Sequence, residues 1–152
     1  MTELIWNISR FDSLSPQALY ALLQLRSEVF VVEQGCAFQD LDGLDVQALH
    51  LLGHSEADGR LQAYARCLPP GVKYAEASIG RVASRASVRG TGMGHVLMRQ
   101  ALACVALQWG AQTIRIGAQA RLEDFYRQHG FVPDGSPYDE DGIAHIEMVR
   151  DV

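Results

Sequence analysis

A glycine-rich segment, Arg89-Gly90-Thr91-Gly92-Met93-Gly94, carries the strongest chemical signal in the chain. Glycines at alternate positions let the backbone approach a ligand without obstruction from Cβ atoms. A helix that begins at this turn would direct several unpaired N–H groups and the positive end of its dipole toward that ligand. The segment therefore predicts an anion site, and a phosphate is the natural occupant.

The spacing of the glycines excludes two common phosphate motifs. A dinucleotide-binding fingerprint needs glycine at the first, third and sixth positions, but the sixth position counted from Gly90 is His95. A nucleoside-triphosphate loop needs a Gly-Lys-Ser or Gly-Lys-Thr sequence, which this segment lacks. What remains is Arg89-x-x-Gly92-x-Gly94, which suits either a phosphate cradle or a tight connection between a strand and a helix.

Charge is distributed unevenly around this turn. The chain has 18 acidic and 13 basic residues and a net charge of −5, yet residues 77–122 contain arginines and no acid. The arginines in that segment are Arg81, Arg85, Arg89, Arg99, Arg115 and Arg121. Such segregation predicts a local positive potential suited to a polyanionic cofactor. The overall acidic balance argues against general nucleic-acid binding.

Length and composition predict one domain over residues 1–152. No apolar run is long enough to cross a bilayer, and the first residues lack the pattern of a signal peptide, so we expect a cytoplasmic protein. Cys36, Cys67 and Cys104 form neither a disulfide framework nor a zinc pattern. The acidic loop 38–45 lacks the glutamate of a calcium loop, because the twelfth position from Asp40 is Leu51, so no metal site is expected. This loop would either attract a cationic amine or form a solvated turn.

Hydrophobic periodicity predicts the elements that position the turn. Met98, Leu102, Val105 and Trp109 recur at helical spacing after it, and residues 77–84 read as a strand before it. Further strands are predicted at 4–9, 48–53, 61–67, 113–118, 131–133 and 143–149, and further helices from 16 toward 29 and over 121–129. The order predicts an α/β domain with a mixed, mostly antiparallel sheet flanked by helices. The apolar residues 29–32 are expected in the core, and Glu33 after them either points into a cleft or is solvated.

Several segments identify a family resemblance. Arg89-x-x-Gly92-x-Gly94 resembles the Gln/Arg-x-x-Gly-x-Gly/Ala motif of GCN5-related N-acetyltransferases (GNAT), whose turn holds the pyrophosphate of acetyl-CoA. Residues 125–131, Phe-Tyr-Arg-Gln-His-Gly-Phe, are similar to the family's Leu/Phe-Tyr-x-x-x-Gly-Phe segment, whose tyrosine lies near the cofactor sulfur. Segments 30–34, 39–43, 117–120 and 140–146 resemble the ElaA-like branch. The resemblance implies an acyl-CoA N-acyltransferase that uses acetyl-CoA and an unidentified amine acceptor.

The resemblance also implies which residues bind the cofactor. They are Val82, Ala83, Ser84, Arg89, Gly90, Thr91, Gly92, Met93, Gly94, His95, Gln119 and Tyr126. Backbone N–H groups at Val82 and Ser84 would hold the pantetheine arm. Gln119 departs from the family pattern, because many members have asparagine at this position.

The chemistry of amide formation sets the catalytic roles. An alkylamine has a pKa of about 10.4, so a base must remove a proton before the nitrogen can attack the thioester. Glu33 is the first candidate base, followed by His50 and His145, with Glu76 behind them. Tyr126 is the candidate acid for the departing thiolate, because a phenol can donate a proton without competing as a nucleophile at neutral pH.

Two other functions remain open at this stage. One is an acyl-CoA-binding sensor that keeps the cofactor turn and lacks a working base. The other is an acyl-homoserine-lactone synthase, which has an arginine and a phenylalanine placed like Arg26 and Phe30 but lacks the full glycine turn. Direct transfer is preferred over an acyl-cysteine route, because no histidine stands at a recognisable spacing from a cysteine. The sequence leaves open whether the chain forms a homodimer.

Overall fold

The computed structural model describes residues 3–152. The strands are β1 (Leu4–Arg10), β2 (Leu49–Ser55), β3 (Leu61–Leu68), β4 (Ser78–Ser84), β5 (Ile114–Gln119), β6 (Val132–Pro133), β7 (Tyr138–Glu140) and β8 (Ile143–Arg150). The α-helices are α1 (Pro16–Arg26), α2 (Met93–Trp109) and α3 (Glu123–Arg127), and a π-helix (Ser27–Glu33) continues from α1. Short 3-10 turns lie at Phe11–Ser13, Asp45–Gln47, Ala86–Val88 and Ala120–Leu122.

The strands form two antiparallel sheets. One has the order β1-β2-β3-β4, and the other has the order β5-β8-β6, with β7 also paired to β8. A single parallel bridge between Ala77 and Ile114 joins them, supported by a 2.9 Å hydrogen bond from the Arg115 N–H to the Ala77 carbonyl. The predicted fold class, a mixed and mostly antiparallel α/β arrangement flanked by helices, is confirmed.

Beyond that bridge β4 and β5 diverge, and a bulge in β4 marks the opening. Tyr64 pairs with Ala83 and Arg66 with Gly80, so Arg81 and Val82 together oppose one residue of β3. Arg81 has a φ of +49°, a conformation that costs a non-glycine residue roughly 1–2 kcal/mol. The bulge bends β4, and the gap between the sheets becomes a cleft.

Helix α2 covers one face of the joined sheets. Met98 and Val105 are buried, and Leu102 and Trp109 pack partly buried against the same core, which confirms the helical spacing seen in the sequence. Helix α1 packs on the opposite face of the first sheet, where Leu22 and Leu25 form a second buried cluster with Tyr64 and other residues.

The expectation that residues 29–32 all lie in the core is wrong. Val29 is buried, but Val32 is 71% exposed. The cause is the π-helix, whose wider turn rotates Val32 away from the face that carries Val29.

The sequence interpretation also missed strand β7. Asp141 and Gly142 connect β7 to β8, with φ values of +53° and +82°. Two consecutive positive φ angles are typical of a type I′ turn, for which Asp-Gly is a favoured sequence. The sequence Asp141-Gly142 is therefore one that favours a hairpin.

Candidate active site

A cleft of about 540 Å³ fills the gap between β4 and β5, and residues from both faces of the sheet line it. Ile79 and Ile116 belong to the core under α2, so side-chain alternation places their neighbours Ser78 and Gly117 on the opposite face. The predicted site residues that line the cleft are Glu33, Val82, Ala83, Ser84, Arg89, Gly94, Gln119, Tyr126 and His145. His50 and Glu76 are absent from the lining.

The glycine turn forms a row of free donors at the start of α2. Gly90 and Gly92 have φ values of +77° and +82°, and Gly92 is the N-cap residue of the helix. Within residues 3–152, the backbone N–H groups of positions 90–94 donate no hydrogen bond, whereas those of positions 95 and 96 bond to the Gly92 carbonyl. Gly94 lines the cleft. This arrangement can bind an anion through consecutive N–H groups and the helix dipole.

Three side chains of the predicted cofactor turn face elsewhere. The Thr91 hydroxyl donates to the Val88 carbonyl at 2.6 Å, and Met93 is buried. His95 Nδ1 lies 2.9 Å from Nε2 of His129, so its ring is directed at α3. These residues can contribute backbone to a ligand, but their side chains support the turn.

Arg89 ties the turn to the end of β4. Its Nε and Nη2 donate to the Ser84 carbonyl at 2.9 and 2.6 Å, and its Nη1 lies 2.7 Å from Oε2 of Glu33. Glu33 therefore lies in the cleft, as one reading of the sequence expected, but its carboxylate is already paired. To act as a base it would have to give up part of this ion pair.

Tyr126 is placed on the α2 side of the cleft by α3. It is only 8% exposed, and its ring packs edge-on against Phe125 and Phe131, with centroids 5.1 and 6.0 Å away. Burial raises the pKa of Tyr126 to about 12, although the charge of Arg121 acts in the opposite direction. The phenol is therefore protonated at neutral pH and can donate a proton.

His145 lies on the other face, where the β7–β8 hairpin holds a carboxylate beside it. Its Nδ1 lies 2.8 Å from the Ile143 carbonyl and therefore donates to it, so Nε2 is the nitrogen available to accept a proton when the ring is neutral. That Nε2 lies 3.3 Å from Oε2 of Glu140. Tyr138, directly opposite His145 in the strand pair, stacks on the imidazole at 5.8 Å between centroids. The imidazole can accept a proton, and Glu140 would stabilise the resulting cation.

His50 and Glu76, the other candidate bases, have structural contacts instead. His50 is fully buried; its Nε2 donates to the Asp45 carbonyl at 2.8 Å, and its Nδ1 accepts the Tyr64 hydroxyl proton at 2.6 Å. Burial lowers the pKa of His50, which keeps the ring neutral. Glu76 accepts two hydrogen bonds from Arg115, each 3.2 Å long. Neither side chain reaches the cleft.

The acidic loop differs from both expectations: residues 41–43 are exposed, but the three aspartates are bonded to arginines and are not free to attract an amine. Asp40 and Asp45 are buried. Arg26 donates to Asp40 at 2.9 Å and to Asp45 at 2.6 Å. Arg66 donates to Asp42 at 2.8 Å and to Asp45 at 3.0 Å. These contacts, together with Arg81, form a balanced group of three arginines and three aspartates, which we term the Arg–Asp network.

The positive field predicted for residues 77–122 is also largely neutralised. Arg81 pairs with Asp40 at 2.7 Å, and Arg89 with Glu33. Arg85 pairs with Glu28 at 3.1 Å, and Arg115 binds Glu76, Asp134 and Glu147. Every acid that neutralises them comes from outside the segment, which is why the local count of charges was misleading.

Two hydrogen bonds cross the cleft. Gln119 Nε2 donates to Oε1 of Gln34 at 3.1 Å, and the Cys36 thiol donates to the Asp141 carbonyl at 3.3 Å. Arg121 also donates to the Gln119 amide oxygen at 3.2 Å. The predicted cofactor residue Gln119 therefore connects β5 to the end of the π-helix.

Residues 3–152 hold no group of three or more His, Cys, Asp or Glu side chains arranged to bind a metal ion. Within the same residues, every helix falls short of the length and apolarity that a membrane span requires.

Comparison with known proteins identifies the family. Residues 56–152 match the acetyltransferase (GNAT) domain family. An acyl-CoA N-acyltransferase from Pseudomonas aeruginosa has a crystal structure with a TM-score of 0.92 at 43% identity, covering 97% of this chain and 99% of that one. Protein ElaA of Escherichia coli is 42% identical over 97% of this chain and 96% of its own length, and the crystal structure of Escherichia coli ElaA has a TM-score of 0.89. The AHL synthase LasI shares the fold alone, at 18% identity and a TM-score of 0.77. The chain thus belongs to the GNAT acetyltransferase family, with ElaA-like proteins among its relatives, and to acyl-CoA-dependent acyltransferases in general.

Proposed function

We propose that this protein transfers an acetyl group from acetyl-CoA to a primary amine by direct attack when both substrates are bound. The observation that carries the proposal is the row of unpaired N–H groups at positions 90–94, at the start of a 17-residue helix beside the cleft. Such a row suits the diphosphate of a coenzyme A thioester. The free edge of β4, from Val82 to Ser84, supplies backbone groups that can pair with the amides of the pantetheine arm.

The proposed acid and the proposed base lie on different faces of the cleft. Tyr126 lies on the α2 side with the turn, and His145 lies on the opposite face. A thioester threaded between β4 and β5 would bring its sulfur toward Tyr126 and its carbonyl toward an amine beside His145. This division favours His145 over Glu33 as the base, because Glu33 is paired with Arg89.

The residues account for each proton in the transfer. His145 Nε2 accepts a proton from the ammonium, and Glu140 stabilises the imidazolium. The amine nitrogen forms a bond to the carbonyl carbon as the carbon–sulfur bond breaks, and the nitrogen then releases its second proton to solvent. Tyr126 donates its proton to the departing sulfur, and solvent later restores it.

The alternatives have less support. The resemblance of Arg26 to an arginine of acyl-homoserine-lactone synthases loses weight, because Arg26 is fully buried and bonded to Asp40 and Asp45. A sensor without a base has less support, because the His145–Glu140 pair lines the cleft as a candidate proton acceptor.

A charge placed in the turn tests the proposal. Gly94→Glu is expected to lower the affinity for CoA roughly 100-fold or more, because it adds bulk and places a negative charge at the anion site, where like charges repel by several kcal/mol. Gly94→Ala separates the two effects, since its methyl would meet only the Phe125 ring, at 3.3 Å. Ala111→Glu, beyond the other end of α2, is the matched control. Calorimetric titration with CoA gives the affinities, and unchanged binding by folded Gly94→Glu would refute the assignment.

A further inference from the structure

Lys73, the only lysine in the chain, faces the cleft from the connection between β3 and β4. Within residues 3–152 its ammonium forms no ion pair, and its Nζ lies 5.5 Å from the centroid of the Tyr74 ring. The side chain is accessible to solvent. It is therefore a cation that a ligand in the cleft can reach.

The other cations on this side of the cleft are already neutralised. Arg66 is bonded to Asp42 and Asp45, and Arg81 to Asp40. Within residues 3–152 both of these guanidinium charges are therefore matched by carboxylates, and the one nitrogen of Arg66 without a hydrogen-bond partner, Nε, is buried. Lys73 stands apart from the Arg–Asp network.

The surroundings of Lys73 favour a bound carboxylate. Partial loss of hydration lowers the pKa of Lys73; Glu140 opposes this effect, whereas Arg81 and Arg66 add to it. Asp42 is the remaining charged group that acts on Lys73, and it is bound to Arg66. A carboxylate from a ligand would replace the lost hydration and offset the neighbouring guanidinium charges.

Negative groups lie on the same side of the cleft. Glu140 and Asp141, at the tip of the β7–β8 hairpin, both line it. Within the described residues the Asp141 carboxylate makes no ion pair, and the Glu140 carboxylate pairs with His145 alone. In the part of the chain that the structure describes, Lys73 forms no ion pair with Glu140 or Asp141, so charges of both signs face one cavity, an arrangement complementary to a molecule that carries both.

We propose that the acceptor is a primary amine that also carries a carboxylate, of the amino-acid class. Its amine would lie beside His145 and Glu140, and its carboxylate would bind Lys73. A polyamine fits less well, because its second cation would meet the Lys73 ammonium. This proposal rests on the proposed acetyl transfer and names the substrate class for the same cleft.

Matched acceptors and variants test the proposal. Release of CoA from acetyl-CoA would be followed with phenylalanine and 2-phenylethylamine, and with lysine and 1,5-diaminopentane. In each pair the two amines differ by the carboxylate. The enzymes compared are the natural chain, Lys73→Met, Lys73→Arg and the control Arg60→Met, which removes an exposed cation from the turn between β2 and β3. CoA affinity is measured for each variant to verify an intact cofactor site.

The carboxylated acceptors are expected to have the higher kcat/KM in the natural enzyme. Lys73→Met should lower that value about 10- to 100-fold, the size expected for a charge-assisted contact, and Lys73→Arg should restore part of it. For the amines without a carboxylate, Lys73→Met should change kcat/KM less than about twofold. Arg60→Met should likewise change kcat/KM less than about twofold for every substrate.

Four results would overturn the inference, one of them together with the transferase function. If Lys73→Met lowered kcat/KM equally for both members of each pair, the Lys73 ammonium would not be recognising the carboxylate. Acetylation of Lys73 itself by acetyl-CoA alone, detected by mass spectrometry, would make it a nucleophile instead of an anchor. Binding of CoA with no turnover of any amine would refute the transferase function, whereas turnover indifferent to Lys73 would refute the acceptor class alone.

Discussion

Removal of the Asp45 carboxylate tests how much the Arg–Asp network stabilises the fold. Asp45 Oδ1 accepts hydrogen bonds from Arg26 at 2.6 Å and from Arg66 at 3.0 Å, and both guanidinium groups are at most 1% exposed. The Arg–Asp network is neutral, with three charges of each sign. Asp45→Ala would leave one uncompensated positive charge among buried groups.

The size of the effect follows from this burial. Breaking a buried ion pair by removing one partner costs about 3–5 kcal/mol, because the remaining charge stays desolvated. For a domain of this length that loss corresponds to a fall in Tm of roughly 6–20 °C. Asp45→Asn should cost less than Asp45→Ala, because the amide oxygen can still accept from both arginines.

An exposed ion pair supplies the control. Arg10 and Asp12 lie 3.7 Å apart with both side chains 77% exposed, so Asp12→Ala should cost about 0–1 kcal/mol. Urea unfolding followed by circular dichroism gives the free energies. A loss for Asp45→Ala no larger than that for Asp12→Ala would refute the reasoning.

Acid should remove the difference in the free energy of unfolding between the natural chain and Asp45→Ala. Burial opposes ionisation of Asp45, but hydrogen bonds and charge from Arg26 and Arg66 outweigh it and lower the pKa of the carboxyl. A lowered native pKa stabilises the fold above the unfolded value of about 3.9, and this contribution is lost as pH falls through the native pKa. The stability gap should therefore be constant near neutrality and shrink below about pH 4.

The catalytic roles lead to two further predictions. Tyr126→Phe should lower kcat with little change in CoA affinity, because it removes the proton donor and keeps the buried ring; turnover equal to that of the natural enzyme would exclude the hydroxyl as the acid. His145→Gln should lower kcat about 10²- to 10⁴-fold at neutral pH. The deficit should narrow as pH rises toward the pKa of the amine, since the acceptor then loses its proton without help; a deficit independent of pH would argue against His145 as the base.

Much of the fold could be predicted from local sequence. The strand before the turn, the spacing from Met98 to Trp109 and the N-capping Ser15-Pro16 are signals carried by neighbouring residues, and the structure has elements at each. The glycine turn was visible for the same reason. Its positive φ angles at Gly90 and Gly92 are a property of the local backbone.

The candidate site could be predicted only in part. Tyr126 and His145 were identified from short segments, and both line the cleft. His50 matched the chemistry of a base equally well, but β2 places it in the core against Tyr64. The sequence alone could not separate these histidines, because burial depends on which elements cover each strand.

The sequence by itself determined the strand–turn–helix unit and the family to which the chain belongs, since both depend on residues a few positions apart. Only the tertiary structure decided the charge balance of the cleft. Arg81 meets Asp40, 41 positions earlier, and Arg66 meets Asp42, 24 positions earlier, so neither pair leaves a local signal. The divergence of β4 from β5 brings these distant groups to one cavity and leaves Lys73 and His145 facing it. Coulombic pairing acts through space, and only folding determines which charges remain for a substrate.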